Sequence, residues 1–349
     1  MVASLFIEPF GIGHAVAAVE NGTLVDLLID PLDHSQQSLL GSVMSVKIGA
    51  PIKGINGTFV VLPNGDKGFI RGRHNFSLNS CVAVSVGTHA EKYKAQPVST
   101  NLIFKGRYVI LTPSKPGLNI SRSIMDETIR ANILSELIDV KKDLPTGCGL
   151  IIRSSAANVE PHNILEDTQN QLKRYQNVLN DDFSQPKFFE MPLKSRQIAF
   201  QEWEFFNPNE IIEEEFCFDR VGLWEQISQF LIPKVNLLNG GFLMIEPTSA
   251  FVAVDINSGS DTSYAAALKT NLLAMAELPR QLQIRGLGGK VIVEFAPLSK
   301  TDRSQAESEL KKSFDKNKIE STIVGWTKLG NLEIQRKRER VPISSILKK

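Results

Sequence analysis

Alternation and short apolar runs dominate the first hundred residues, and helical periodicity enters only afterwards. Segments SLFIEPF and HAVAAVE read as strands. Asn21-Gly22 is a tight-turn signal, and LVDLLID follows it, so residues 1–33 predict a β-hairpin and its continuation. Strands this apolar need a partner sheet, and the next segment is of another type. The N-terminus is therefore expected to join a sheet completed later in the chain. Residues 38–99 carry SVMSVKI, GTFVVLP, KGFIRG, CVAVSVGT and EKYKAQPVS, with the turn PNGD between two of them. Short strands at even spacing predict a small barrel.

Residues 101–160 predict a strand pair (NLIFKGRYVILTPSKPG), a helix and a buried strand (CGLIIRSSAANV). The helix has Ser123 as its cap, Asp126 three residues on, and Ile129, Ile133, Leu134 and Leu137 at helical spacing. Residues 161–183 predict an amphipathic helix. Residues 184–215 read as a linker plus one strand, and 218–241 as a helix with a turn. The strongest pattern lies at 240–295, which reads strand, strand, polar loop, helix, strand. Runs FLMI and FVAV lead to Asp255, and VIV ends at Glu294. A helix capped by Thr301 or Asp302, with a thin apolar face, should follow. A strand, a glycine turn and a basic segment close the pattern.

The chemistry rests on few residues. A carboxylate leaving a buried strand is paired, hydrogen-bonded or metal-bound, so Asp255 and Glu294 read either as holding a divalent ion or as capping the sheet. Phe59 and Phe69 flank the PNGD turn and read either as core or as a platform on which bases stack. Arg153, Ser154 and Ser155 end a strand and suit a phosphate, or a surface ion pair. Arg336, Lys337, Arg338 and Arg340 fit phosphate-backbone contact, or a solvated basic segment.

Composition changes little. The chain has 349 residues, 42% hydrophobic and 22% charged, with a formal net charge of +1. The length allows two or three domains. Near-neutral charge leaves nucleic acid open, because local patches decide binding. Cys81, Cys148 and Cys217 are far apart with no CxxC or Cys/His spacing, which argues against a zinc site or a disulfide framework and for a reducing cytoplasm. No membrane span and no secretory signal are expected.

At the central stretch, IEPTSAFVAVDINSG, TNLLAMAELPRQLQIRGLGGKVIVEF and LGNLEIQRKR closely resemble the catalytic region of the ribonuclease E/G family of bacterial endoribonucleases. KGRYVILTPSKPGLNISRSI and LPTGCGLIIRSSA resemble that family's 5′-sensor, and GTFVVLPNGDKGFI its S1-type RNA-binding domain. The resemblance implies an α+β (mixed) fold: an S1-type OB barrel over 36–100 inserted in a reduced RNase H-like subdomain of 1–35 and 185–235. A 5′-sensor over 101–184 and a DNase I-like catalytic subdomain over 236–349 complete it. It implies Mg²⁺ held by Asp255 and Glu294, the latter standing where the family has aspartate, with Asn257 supporting the site. Phe59, Phe69 and Lys94 match RNA contacts of the barrel. Gly106, Ile110, Arg153 and Ser154 match the 5′-monophosphate pocket, Ser154 in place of the family's threonine.

The expected activity is Mg²⁺-dependent cleavage of single-stranded RNA in RNA processing or decay (rRNA, tRNA or mRNA). The alternative is an RNA-binding member that lost cleavage through Glu294. No CPxC motif follows the basic segment. The expectation is therefore a short form without the zinc-link or the C-terminal scaffold, with no zinc, and with any homo-oligomer formed through another interface.

Overall fold

The computed structural model describes residues 3–34, 37–51, 54, 56–91, 93–137, 144–157, 159–203, 206–315 and 319–347. The chain is a mixed α+β protein whose strands form several sheets. It divides into two compact units, Met1–Ser38 with Lys194–Arg196 and Phe205–Lys349, and Leu39–Leu193 with Gln197–Glu204.

In the first unit, β1 (Ala3–Phe10), β2 (Gly13–Glu20) and β3 (Thr23–Ile29) form an antiparallel meander. Asn21 and Gly22 both take positive φ, 50° and 75°, as a two-residue hairpin turn requires. β14 (Phe206–Glu213) pairs with β1 in parallel, Leu5 opposite Ile211. The N-terminal strands thus do join a strand from far along the chain. Ala15, Ala17, Leu24 and Leu27 pack with Phe218, Leu223, Ile227, Ile343 and Ile346.

The unit's other sheet has the order β15 (Lys234–Asn236), β16 (Phe242–Pro247), β17 (Val252–Asn257), β18 (Gly289–Glu294), β20 (Leu332–Arg336), β19 (Ser321–Trp326). Among the described residues of this sheet only the β17–β18 pair is parallel, and a helix over Tyr264–Ile284 makes the crossover that parallel neighbours need. That helix and a second over Arg303–Asp315 cover one face. Leu243, Ile245, Val252, Val254, Ile256, Val291 and Val293 point into it, against Ala274, Met275, Leu278, Leu282 and Leu310. Strand alternation sends the intervening residues to the opposite, open face. The single helix expected over 218–241 is instead two short ones, Cys217–Arg220 and Leu223–Gln229, followed by the edge strand β15.

In the second unit, β4 (Val43–Pro51), β5 (Gly57–Val61), β6 (Lys67–Arg71), β7 (Cys81–Ser85), β8 (Gln96–Val98) and β13 (Lys187–Glu190) form one sheet. β4 pairs with β7 from Val43 to Lys47 and with β5 from Lys47 to Pro51, so one long strand serves both neighbours. Met44, Val46, Ile48, Val60, Leu62, Ile70 and Val84 fill its core. β9 (Phe104–Lys105), β10 (Val109–Thr112), β11 (Gly117–Ile120) and β12 (Gly149–Ile152) form the second sheet, order β11-β12-β10-β9.

Helices α1 (Glu127–Glu136) and α2 (Pro161–Leu179) share a core with this sheet through Ile133, Ile164 and Val178. The cap of α1 is Asp126, whose carboxylate accepts from Thr128 N and Ile129 N at 2.8 and 3.1 Å, and not Ser123. Residues 138–143 of the expected helix lie outside the described residues. The linker with one strand expected over 184–215 holds two strands, β13 and β14, and a helix, α3 (Ser195–Glu202). The start of α3 is set by Asp30, whose Oδ1 accepts from both Ser195 N and Ser195 Oγ at 2.8 and 2.9 Å. That partner lies 165 positions away, beyond any local pattern. Among the described residues no helix is long and apolar enough to cross a membrane.

Candidate functional site

Asp255 and Glu294 are register partners in the parallel pair β17–β18. Neighbouring strands lie roughly 4.8 Å apart and partner side chains emerge on the same face, so the two carboxylates stand side by side. Both are exposed, on the face opposite the helices. Asn257 is two residues beyond Asp255 on that face, and its side-chain amide donates to Asp255 Oδ2 at 2.8 Å. That bond fixes the Asp255 rotamer.

Among the described residues, no group of three or more His, Cys, Asp or Glu is placed to hold a metal ion. The donor set here is two hard carboxylates open to water. It fits Mg²⁺, which binds through one or two carboxylates and retains several waters. It does not resemble the closed nitrogen and sulfur sets of structural zinc.

The loops leaving β17 and β18 are tied together. Tyr264, which opens the crossover helix, donates its hydroxyl to Asp302 Oδ2 and accepts from Ser299 N at 2.9 Å. Ser299 Oγ reaches the same Asp302 oxygen at 2.7 Å. The Tyr264 hydroxyl, then that of Ser299, holds the Asp302 carboxyl below its usual range.

Phe59 on β5 and Phe69 on β6 are direct cross-strand partners, their ring centroids 5.3 Å apart and the planes at 61°. Both are half-buried and absent from the core, since alternation sends Val60 and Ile70 inward and the two rings outward. Neither ring is part of the core beneath this sheet. Gly57 sits under the Phe69 ring, and a Cβ there would collide with it. On the same face Lys47 is opposite Val61 and Val61 opposite Lys67, while Arg71 is opposite Gly57. All three cations are exposed. The aromatic pair is thus bracketed by Lys47, Lys67 and Arg71, which the sequence reading missed. Register from the PNGD turn was the signal that would have found Lys67 and Arg71. Lys94 is exposed and ion-paired with Glu91 at 2.5 Å.

Gly106, Ile110, Arg153 and Ser154 come together where the β9–β10 hairpin meets the end of β12. Ile110 pairs with Ile151, and Arg153 N donates to Tyr108 O at 2.8 Å. The Arg153 guanidinium, 11% exposed, donates through Nη1 to Gly106 O at 2.6 Å and through Nη2 to Glu202 Oε2. Asp167 lies against Gly106, where a Cβ would strike its carboxylate and have to displace it. The Asp167 carboxylate accepts from Tyr108 N and Val109 N at 2.7 and 3.1 Å. Sequence reading missed Glu202 and Asp167, because each meets its partners from a distant segment.

The basic segment departs most from expectation. Arg336 is fully buried and makes no surface contact of the kind expected with phosphate. In β20 the alternation Leu332, Ile334, Arg336 points inward, and Arg336 Nη1 donates to Ser321 Oγ at 2.8 Å beside the Phe314 ring. Burial, then the charge on Arg340, pushes its pKa down to about 10. Arg340 pairs with buried Asp26, and Lys337 with Glu339. Arg338 is half-buried with its guanidinium against Gly289. This segment is largely an internal charge network.

A family model described as the Ribonuclease E/G family matches residues 103–204 and 195–339. A ribonuclease E from Nostoc sp. is 30% identical over 297 residues, covering 74% of this chain and 43% of that protein. A ribonuclease E/G-like protein from Pyropia yezoensis is 29% identical over 286 residues, covering 70% of this chain and 55% of that protein. A ribonuclease G from Escherichia coli is 23% identical over 413 residues, covering 99% of this chain and 82% of that protein. The chain thus spans about half the length of the first two of these relatives.

Proposed function

Because the chain belongs to the ribonuclease E/G family, we propose that it is an endoribonuclease cutting single-stranded RNA with Mg²⁺ held by Asp255 and Glu294. The observation that carries the reading is the side-by-side register of those two carboxylates on an open sheet face, with Asn257 bonded to one of them. When bound, Mg²⁺ polarises the scissile phosphate and lowers the pKa of water. Asn257 keeps the Asp255 carboxylate turned toward the open face, and the Tyr264–Asp302–Ser299 clamp holds the adjoining loops. In-line attack by water on the phosphodiester leaves 5′-phosphate and 3′-hydroxyl ends.

RNA is received in the second unit. The half-exposed Phe59 and Phe69 take bases by stacking, and Lys47, Lys67, Arg71 and Lys94 meet phosphates. We read residues 36–100 as the S1-type OB barrel and 101–184 as the 5′-sensor, with Arg153, Ser154, Gly106 and Ile110 receiving a 5′-monophosphate. Residues 1–35 with 185–235 are read as the reduced RNase H-like part, and 236–349 as the DNase I-like catalytic part. The three cysteines are all free thiols, which supports a reducing cytoplasm.

Asp255→Asn removes a metal ligand and leaves the RNA surface untouched. It should abolish cleavage of a short RNA in Mg²⁺ while single-strand affinity stays within about twofold, since about 0.4 kcal/mol is the resolution of such a comparison. Undiminished cleavage by this variant would sink the proposal. Glu294 favours a second reading, an RNA-binding protein that no longer cuts. That reading wins if the purified chain binds RNA without cutting it and Glu294→Asp restores cutting.

A further inference from the structure

The side chain that faces Arg153 is a carboxylate from another segment of the same unit. Glu202, the last residue of α3, accepts from Arg153 Nη2 through Oε2. Its other oxygen lies 3.9 Å from Lys105 Nζ and accepts from Gln201 Nε2 at 3.2 Å. Burial pushes the Glu202 carboxyl up. The charges of Lys105 and Arg153, with the Arg153 and Gln201 hydrogen bonds, outweigh it, so the group sits below its usual range and is an anion at neutral pH.

The end of α3 is fastened there by a further bond. Arg107 Nη1 donates to Phe200 O, and Ser155 Oγ donates to Arg107 O at 2.5 Å. A carboxylate and a phosphate offer a guanidinium the same pair of acceptor oxygens. Glu202 therefore occupies the cations that would receive a phosphate.

We propose that Glu202 is an internal anion that competes with RNA phosphate for Arg153 and Lys105 and so sets how strongly a phosphate must bind to enter the pocket. The inference rests on the reading of this pocket as the 5′-phosphate site. The charges set that threshold. Exchanging Glu202, of charge −1, for an internal phosphodiester, also −1, gains nothing electrostatically. A terminal monophosphate carries roughly −1.5 to −2 at pH 7, and displaces the carboxylate with a gain.

The test is equilibrium binding of two short single-stranded RNAs of one sequence, one with a 5′-monophosphate and one with a 5′-hydroxyl. The full chain is used in EDTA, so that nothing is cut. Wild-type protein should prefer the monophosphate. Glu202→Gln keeps an acceptor for Arg153 and removes the charge. It should bind both RNAs more tightly, the 5′-monophosphate RNA by about tenfold and the 5′-hydroxyl RNA by no more than that, since removing a competitor cannot favour the weaker ligand. Glu202→Ala should move both affinities the same way, and thermal melts of both variants establish that they are folded.

If Glu202→Gln binds the monophosphate RNA no more tightly than wild type, competition is wrong. A loss of affinity would make Glu202 a residue that orients Arg153 for the ligand. Arg153→Gln separates this from the underlying reading. If that variant keeps the wild-type preference for 5′-monophosphate, the pocket is not the phosphate site and the inference falls with it. If the preference disappears while Glu202→Gln gains nothing, the site stands and only the role of Glu202 is overturned.

Discussion

A guanidinium with no exposed surface serves packing before it serves a ligand, and Arg336 is such a group. Its two terminal nitrogens meet Ser321 and Gln283, and its guanidinium lies over the Phe314 ring. Arg336→Ala should therefore cost roughly 2–5 kcal/mol of folding stability, as truncation of other large buried side chains does. Urea unfolding reads the loss, and RNA affinity per folded molecule should not change. Phe59 has the opposite character, because its ring lies outside the core and beside Phe69. Phe59→Ala should weaken single-strand binding by about 1–3 kcal/mol, the range for one stacked base, with a much smaller effect on the urea midpoint. If instead Phe59→Ala unfolds the domain and leaves affinity alone, the platform assignment is wrong. The contrast marks what was legible residue by residue. Asp255 and Glu294 could be placed because apolar alternation fixes their face. The same alternation, carried two residues past Ile334, places Arg336 inside, and the run of neighbouring charges hid it. Glu202 could not be read at all, since its partner Arg153 lies 49 positions away.

At the scale of elements, ends were harder to read than interiors. The crossover unit β17–helix–β18 is legible because its apolar runs and long helical segment are each self-sufficient signals. The start of α1 is not. Ser123 and Asp126 are both good caps by type, and only the hydrogen bonds from Thr128 N and Ile129 N choose Asp126. Asp126→Ala should cost about 1 kcal/mol, and Ser123→Ala close to nothing. A pair of thermal melts decides it, and equal costs would remove Asp126 from its role. Elements held by distant partners were the ones missed. α3 begins on the Asp30 carboxylate, and β13 is four residues long and pairs with β4, more than a hundred positions earlier. Local periodicity carries no trace of such bonds.

Over the whole molecule, a net charge of +1 spread across 349 residues would suggest weak and salt-insensitive contact with RNA. The arrangement of the charge argues otherwise. Much of the basic segment at 336–340 is spent internally, on Asp26 and Glu339. Lys47, Lys67 and Arg71 stand exposed on one face around Phe59 and Phe69. Affinity for a flexible polyanion follows the number of phosphates neutralised at the contact, not the sum over the surface. With these three cations and Lys94 each meeting one phosphate, log affinity should fall against log salt with a slope of roughly −3, from about −0.7 per phosphate on a single strand. Removing one cation, as in Lys67→Ala, should flatten the slope by about 0.7 and weaken binding without regard to sequence. Arg338→Ala, whose side chain lies against Gly289, should leave the slope as it was. Anisotropy titrations of a short single strand in EDTA, across a range of salt, measure all three slopes. A slope near zero in the wild-type chain, or one that Lys67→Ala leaves unchanged, would mean that the RNA lies on another face.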